Sequence, residues 1–108
     1  MRHIDGAAFF AQNLSEDNLQ TNVLAEARKF GWTAYHTHDS RHSAAGFPDL
    51  FMVRASEIVV MELKSETGVV SDDQQWWLDA LATVPGVRWA GVIRPSNWYA
   101  GDVERILT

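Results

Sequence analysis

Three side chains in this sequence have the types and spacing to do chemistry together: Asp49, Glu62 and Lys64. Glu62 and Lys64 close the run Ile58-Val59-Val60-Met61-Glu62-Leu63-Lys64, whose β-branched and apolar residues read as a strand. Side chains alternate faces along a strand, so Ile58, Val60, Glu62 and Lys64 point one way and Val59, Met61 and Leu63 the other. A carboxylate and an ammonium therefore project together from the end of a strongly apolar strand. Asp49 opens the preceding apolar run, directly after Pro48. In a hairpin the start of one strand lies beside the end of the next, which brings Asp49 close to Glu62. Two carboxylates and an ammonium at one spot can hold a hard divalent cation and position a water molecule. The competing interpretation is a solvated ion pair at a sheet end, a common arrangement that contributes little.

The elements that must position these groups can be read from local signals. Ser15 is an N-cap candidate, followed by Glu16 and Asp17 in the first turn and by a helical pattern through Phe30, with Gly31 as the stop. Residues 32–38 read as a strand with mixed faces, and residues 38–48, HDSRHSAAGFP, as a loop rich in turn formers. Two strands follow, residues 49–54 and 57–64, with Ala55 and Ser56 between them, a spacing that predicts an antiparallel hairpin. Ser71 caps a second helix that opens with Asp72 and Asp73 and runs to about Val84, where Pro85-Gly86 breaks it. Residues 87–93 form a further apolar strand, and Asp102 is expected to cap a short C-terminal helix ending in Ile106 and Leu107. The order helix, three strands, helix, strand, helix predicts an α/β fold: one domain over residues 1–108, with a mixed central sheet flanked by helices.

Each main helix turns one polar side chain toward its apolar stripe. Glu16 heads a stripe formed with Leu19, Val23, Ala27 and Phe30, and Gln74 heads one formed with Trp77, Leu78 and Leu81. Both are expected near Asp49, Glu62 and Lys64. The plainer alternative is that they lean into solvent as residues of the capping turns. Trp76 and Trp89 are expected in the core or in an interface.

Composition narrows the classes. The chain has 108 residues, 46% of them hydrophobic, and five tryptophans, enough for one core without disulfides. It has no cysteine, which excludes thiol nucleophiles and Cys-ligated zinc and fits a reducing cytoplasm. No apolar run approaches the roughly 20 residues needed to cross a bilayer, so a soluble cytoplasmic protein with no membrane partner is expected. The net charge of −5 neither supports nor excludes nucleic acid, because Arg28, Lys29, Arg41, Arg54, Lys64, Arg88 and Arg94 can still gather on one face. A rival enzyme class is a zinc hydrolase using His36, His38 and His42, of which the first two share a strand face. The run HTHDSRH departs, however, from the H-x-H-x-D-H spacing of such hydrolases. A non-enzymatic rival is a DNA-binding module that kept the fold and lost the chemistry.

The segments GFPDLFMV, VVMELK and SDDQQWWLDAL together resemble the VRR-NUC family of the PD-(D/E)xK nuclease superfamily. Pro48-Asp49 corresponds to the "PD" and Glu62-Leu63-Lys64 to the "(D/E)xK". Ser71, Gln74, Trp77, Leu78 and Leu81 correspond to its S-x-x-Q-x-x-W-L-x-x-L helix, and residues 92–98, VIRPSNW, resemble its closing strand and turn. The resemblance implies a restriction-endonuclease-like core and metal-dependent hydrolysis of DNA phosphodiester bonds, leaving a 5′-phosphate and a 3′-hydroxyl. It implies Mg²⁺ or Mn²⁺ held by Asp49, Glu62 and the Leu63 backbone carbonyl, with Glu16 entering directly or through a water molecule. Lys64 would then orient the attacking water and Gln74 hold Lys64 or that water in place. Arg41, His42 and Ser43, in the loop before Pro48, are candidate contacts to the DNA backbone. The same resemblance points to branched DNA, four-way junctions in particular, with flap-cutting and restriction-like roles as the alternatives; coordinated cutting of two strands would need two active sites, hence a homodimer.

Overall fold

The computed structural model describes Ala11 and residues 13–37 and 44–108. Its elements are α1 (Glu16–Lys29), β1 (Thr33–His36), β2 (Leu50–Arg54), β3 (Glu57–Leu63), α2 (Asp72–Ala82), β4 (Val87–Ile93), α3 (Pro95–Tyr99) and α4 (Asp102–Leu107). The strands form one sheet in the order β1-β2-β3-β4. The first two pairings are antiparallel and the third is parallel, so the sheet is mixed, as the element order predicts.

Local chemistry accounts for most of these boundaries. Ser15 accepts the Asn18 amide at 3.1 Å, and α1 ends where Gly31 takes a left-handed φ of 85°. Ser71 and Gln74 form a capping box at the start of α2. The hairpin turns through Ala55-Ser56, with Arg54 opposite Glu57. Leu19, Val23 and Ala27 of α1 are buried against Leu50, Met52, Val59, Met61, Leu63 and Ile93 of the sheet, together with Val103 and Leu107 of α4. One sheet face is therefore sealed by α1 and α4. Truncating a buried leucine such as Leu19 to alanine costs about 2–5 kcal/mol, so this layer dominates the stability. Alternation sends Val60 and Glu62 to the opposite face, where α2 lies. β3 is thus covered on both sides, which is why residues 59–63 are all buried and why its sequence is almost continuously apolar.

Three expectations need correction. β1 is shorter than residues 32–38: Trp32 precedes it and turns its indole into the core, donating to the Leu107 carbonyl at 2.9 Å. His38 lies outside the described residues. Residues 95–99 form a short helix rather than a simple turn; Pro95 takes its first position, and the Arg94 amide donates to Asn97 Oδ1 at 2.7 Å. Asp102 is the first residue of α4 and not its cap, a place taken by Gly101 with φ 81°. Its carboxylate instead accepts from Asn97 Nδ2 at 3.0 Å and pairs with Arg105. Of the two tryptophans expected in the core or in an interface, Trp76 is 63% exposed and so outside the core, whereas Trp89 is half-buried and packs against it.

The two ends of the sheet do different work. At the hairpin end, Glu57 lies 3.8 Å from Arg54 and 3.5 Å from Arg88. Arg54 also donates to the carbonyls of Phe30 and Leu107, at 3.1 and 3.0 Å, and stacks over the Trp32 ring. Arg54 thereby ties the ends of α1 and α4 to the sheet, while Arg88 pairs within it. Among the described residues no helix is long and apolar enough to cross a membrane.

Candidate active site

The other end of the sheet carries the polar cluster. Leu50 pairs with Met61, so the register, extended by one step, sets Asp49 opposite Glu62. The juxtaposition read from hairpin geometry is present. Asp49 Oδ2 accepts the Leu63 amide at 2.8 Å, which anchors one of its oxygens. The Asp49 carbonyl accepts from the Thr37 amide at 3.0 Å, and the Thr37 hydroxyl donates to the Pro48 carbonyl at 3.2 Å. The chain on either side of Pro48-Asp49 is therefore tied to the exit of β1.

The approach to Pro48 is fixed from below by α2. Gly46 has φ 78°, and a Cβ there would fall 2.5 Å from the Asp73 carbonyl carbon and 2.6 Å from the Gln74 nitrogen. Only glycine allows that approach. Trp77 donates its indole N–H to the Ala45 carbonyl at 3.1 Å, and Phe47 meets the Trp77 ring edge-on. Trp77, expected on the inner stripe of α2, and Gly46, to which the sequence reading gave no role, are thus positioning residues for the approach to Pro48. A glycine two residues before the Pro-Asp pair is the signal that could have found Gly46.

Glu62 is 3% exposed, the only buried polar or charged residue among the described residues. Its Oε1 accepts from Gln74 Nε2 at 3.2 Å, and its Oε2 is buried with no hydrogen-bond partner. Gln74 is held at its other end, because its Oε1 accepts the Ser71 amide at 2.9 Å. The Gln74 side chain thus lies where its place on the α2 stripe put it, but the partner it holds is Glu62 and not Lys64 as expected; its amide orientation follows from that bond network. Lys64 stands just past β3, half-buried, with its amide donating to the Ile93 carbonyl at 3.0 Å. Burial is the main cause that raises the Glu62 carboxyl, followed by the negative charge of Asp49 beside it. Lys64 acts in the opposite direction, and the result is about 8 against an ordinary 4.5.

An acid forced together with a second acid, with one oxygen left unbonded, has two ways to relax: it keeps a proton or it meets a cation. The donor set suits a hard divalent ion. Mg²⁺ is commonly held by one or two carboxylates while retaining waters, and Asp49 with Glu62 supplies that number. Among the described residues no group of three His, Cys, Asp or Glu side chains converges on one metal-holding point. Glu16 does not complete such a group. It is exposed in the first turn of α1, the helix over the opposite sheet face, and not on the buried stripe as expected. Arg41, His42 and Ser43 lie outside the described residues, as do two of the three histidines of the zinc reading; His36 ends β1.

A mixed sheet flanked by helices, with an aspartate, a glutamate and a lysine at the rim of its middle strands, is the arrangement of a nuclease-like α/β fold of the PD-(D/E)xK type. The family described as "VRR-NUC domain" matches residues 8–91, most of the chain and all of the cluster built on Asp49, Glu62, Lys64 and Gln74. The chain belongs to that family. It is a nuclease domain, a hydrolase for which DNA is the implied substrate, and nucleases of this family are typically dependent on divalent metal. No curated protein and no solved structure matches it.

Proposed function

We propose that this domain is a Mg²⁺- or Mn²⁺-dependent endonuclease that hydrolyses phosphodiester bonds in branched DNA, four-way junctions above all, as a homodimer. The observation that carries the metal assignment is the buried, unbonded Oε2 of Glu62 beside Asp49. Asp49 and Glu62, with the Leu63 carbonyl, hold the ion. When bound, it supplies positive charge at the scissile phosphate and lowers the cost of deprotonating water. Lys64 orients the attacking water and offsets the negative charge that develops on the phosphate oxygens. Gln74 holds Glu62 in place through its amide. The exposure of Glu16 favours a role through water over direct contact.

The substrate class is supported by the resemblance to stand-alone members of the VRR-NUC family. Resolving a junction requires two coordinated cuts, hence two active sites related by a twofold axis. The test is incubation with junction, flap, duplex and single-stranded DNA in Mg²⁺ or Mn²⁺, alongside the solution mass. The expected result is preferential junction cleavage by a species of twice the chain mass. Asp49→Ala and Lys64→Ala should each lose cleavage while keeping a native circular dichroism spectrum. Full activity of either folded variant would overturn the site assignment, and preferential cutting of flaps or plain duplex would overturn the substrate.

A further inference from the structure

The chain that leaves the strand after Lys64 is gripped from β4 and α3. Arg94 Nη1 donates to three backbone carbonyls of this turn: Ser65 at 2.8 Å, Glu66 at 3.3 Å and Gly68 at 2.8 Å. The turn closes on itself through the Gly68 amide, which donates to the Ser65 carbonyl at 3.2 Å. From its other side, the Glu66 carboxylate accepts the Ser96 amide at 3.0 Å. The turn also lies against the lysine, since a Cβ on Gly68 would sit 3.5 Å from Lys64 Cδ. Residues 93, 94 and 96 together therefore hold both the backbone of Lys64 and the turn that packs on its stem. Arg94 lies beyond the matched residues 8–91, in the stretch VIRPSNW that resembles the family's closing strand and turn, and neither assigns it a role.

We infer that Arg94 is a positioning residue for Lys64: by pinning the turn at residues 65–68 it fixes the direction in which the ammonium leaves the end of β3. This rests on the reading of Lys64 as a participant in hydrolysis. A guanidinium nitrogen bonded to three carbonyls forms charge-assisted bonds, stronger than neutral ones, so it can hold a turn that has little apolar contact of its own. Placement matters because a misplacement of about 1 Å at a reacting group can cost on the order of 100-fold in rate. With its nitrogen engaged by the turn, Arg94 acts on the rate of the chemical step and not on the capture of DNA.

The experiment measures kcat and KM for DNA cleavage at saturating Mg²⁺ or Mn²⁺ in the wild type, Arg94→Met, Arg94→Lys and Lys64→Ala. Amide hydrogen exchange of the wild type and Arg94→Met is followed in EDTA. Arg94→Met is expected to lose roughly 10- to 100-fold in kcat with KM within about threefold of the wild type. Arg94→Lys should recover at least about tenfold of that loss, because an ammonium brings three donors to the three carbonyls. In EDTA, faster exchange should be confined to residues 64–68. A raised KM with unchanged kcat, a kcat within about twofold of the wild type, or faster exchange across the whole molecule would each overturn the inference. Should Arg94→Met fail to fold, Glu66→Gln loosens the same turn from its other side and carries the same expectation, a lower kcat at unchanged KM. Lys64→Ala separates the two levels: if it cleaves like the wild type, the reading of Lys64 falls, whereas an inactive Lys64→Ala beside a fully active Arg94→Met sinks only the role of Arg94.

Discussion

In metal-free protein Glu62 should make stability fall as pH rises. The unfolded carboxyl ionises near 4.5 and the folded one near about 8. Below the lower value both states are protonated and Glu62 imposes no penalty. Between the two, the unfolded chain loses a proton that the folded chain keeps, so the slope of stability against pH is negative. Above the higher value both are ionised and the loss is complete. A rise from 4.5 to about 8, at about 1.4 kcal/mol per pH unit, puts that loss at roughly 5 kcal/mol at most. Denaturant unfolding in EDTA between pH 5 and 9 should therefore show the wild type weakening relative to Glu62→Gln, whose amide can accept from Gln74 and donate toward Asp49 without ionising. Asp49→Asn should narrow the window from its upper end without closing it, because burial, the largest cause, remains. Mg²⁺ should restore more stability at pH 8 than at pH 6. A difference between wild type and Glu62→Gln that stays flat over the whole range would refute the account of a buried acid pressed against a second one.

Two other outcomes are expected. Gln74→Ala loses both the reciprocal cap of α2 and the bond to Glu62, and should lower stability by about 1 kcal/mol in thermal unfolding while reducing cleavage. Arg54→Met releases the Phe30 and Leu107 carbonyls at the far end of the sheet; it should cost about 1–3 kcal/mol by denaturant unfolding and leave kcat of the folded enzyme unchanged.

What the sequence made legible was what local physics determines. Ser15 and Ser71 mark helix starts because an N-cap is a bond within one turn, and residues 87–93 form a strand because an apolar run between Pro85-Gly86 and Pro95 has few alternatives. The meeting of Asp49 and Glu62 was also readable, since a hairpin converts sequence spacing directly into register. Long-range contacts were not. Nothing near Arg94 announces that it will meet residues 65–68, and nothing near Trp32 announces the Leu107 carbonyl. The helix of residues 95–99 was missed because Pro-Ser-Asn has the composition of a turn, and only the Asn97 bond to the Arg94 amide converts it. Glu16 shares the angle of its stripe but not its depth: the first turn of α1 is exposed and burial begins only at Leu19, the outcome the capping-turn alternative describes.

Gln74 serves two masters, one at each end of its amide. A glutamate at that position would finish the helix just as well, yet it would turn a second carboxylate, after Asp49, on Glu62. An asparagine would be too short to span both tasks. The opening of α2 and the state of the buried acid are thereby mechanically joined. Fraying of a first helical turn, harmless in most proteins, would here unlatch Glu62 and let water reach it, so the readiness of the site can be no greater than the persistence of that one turn.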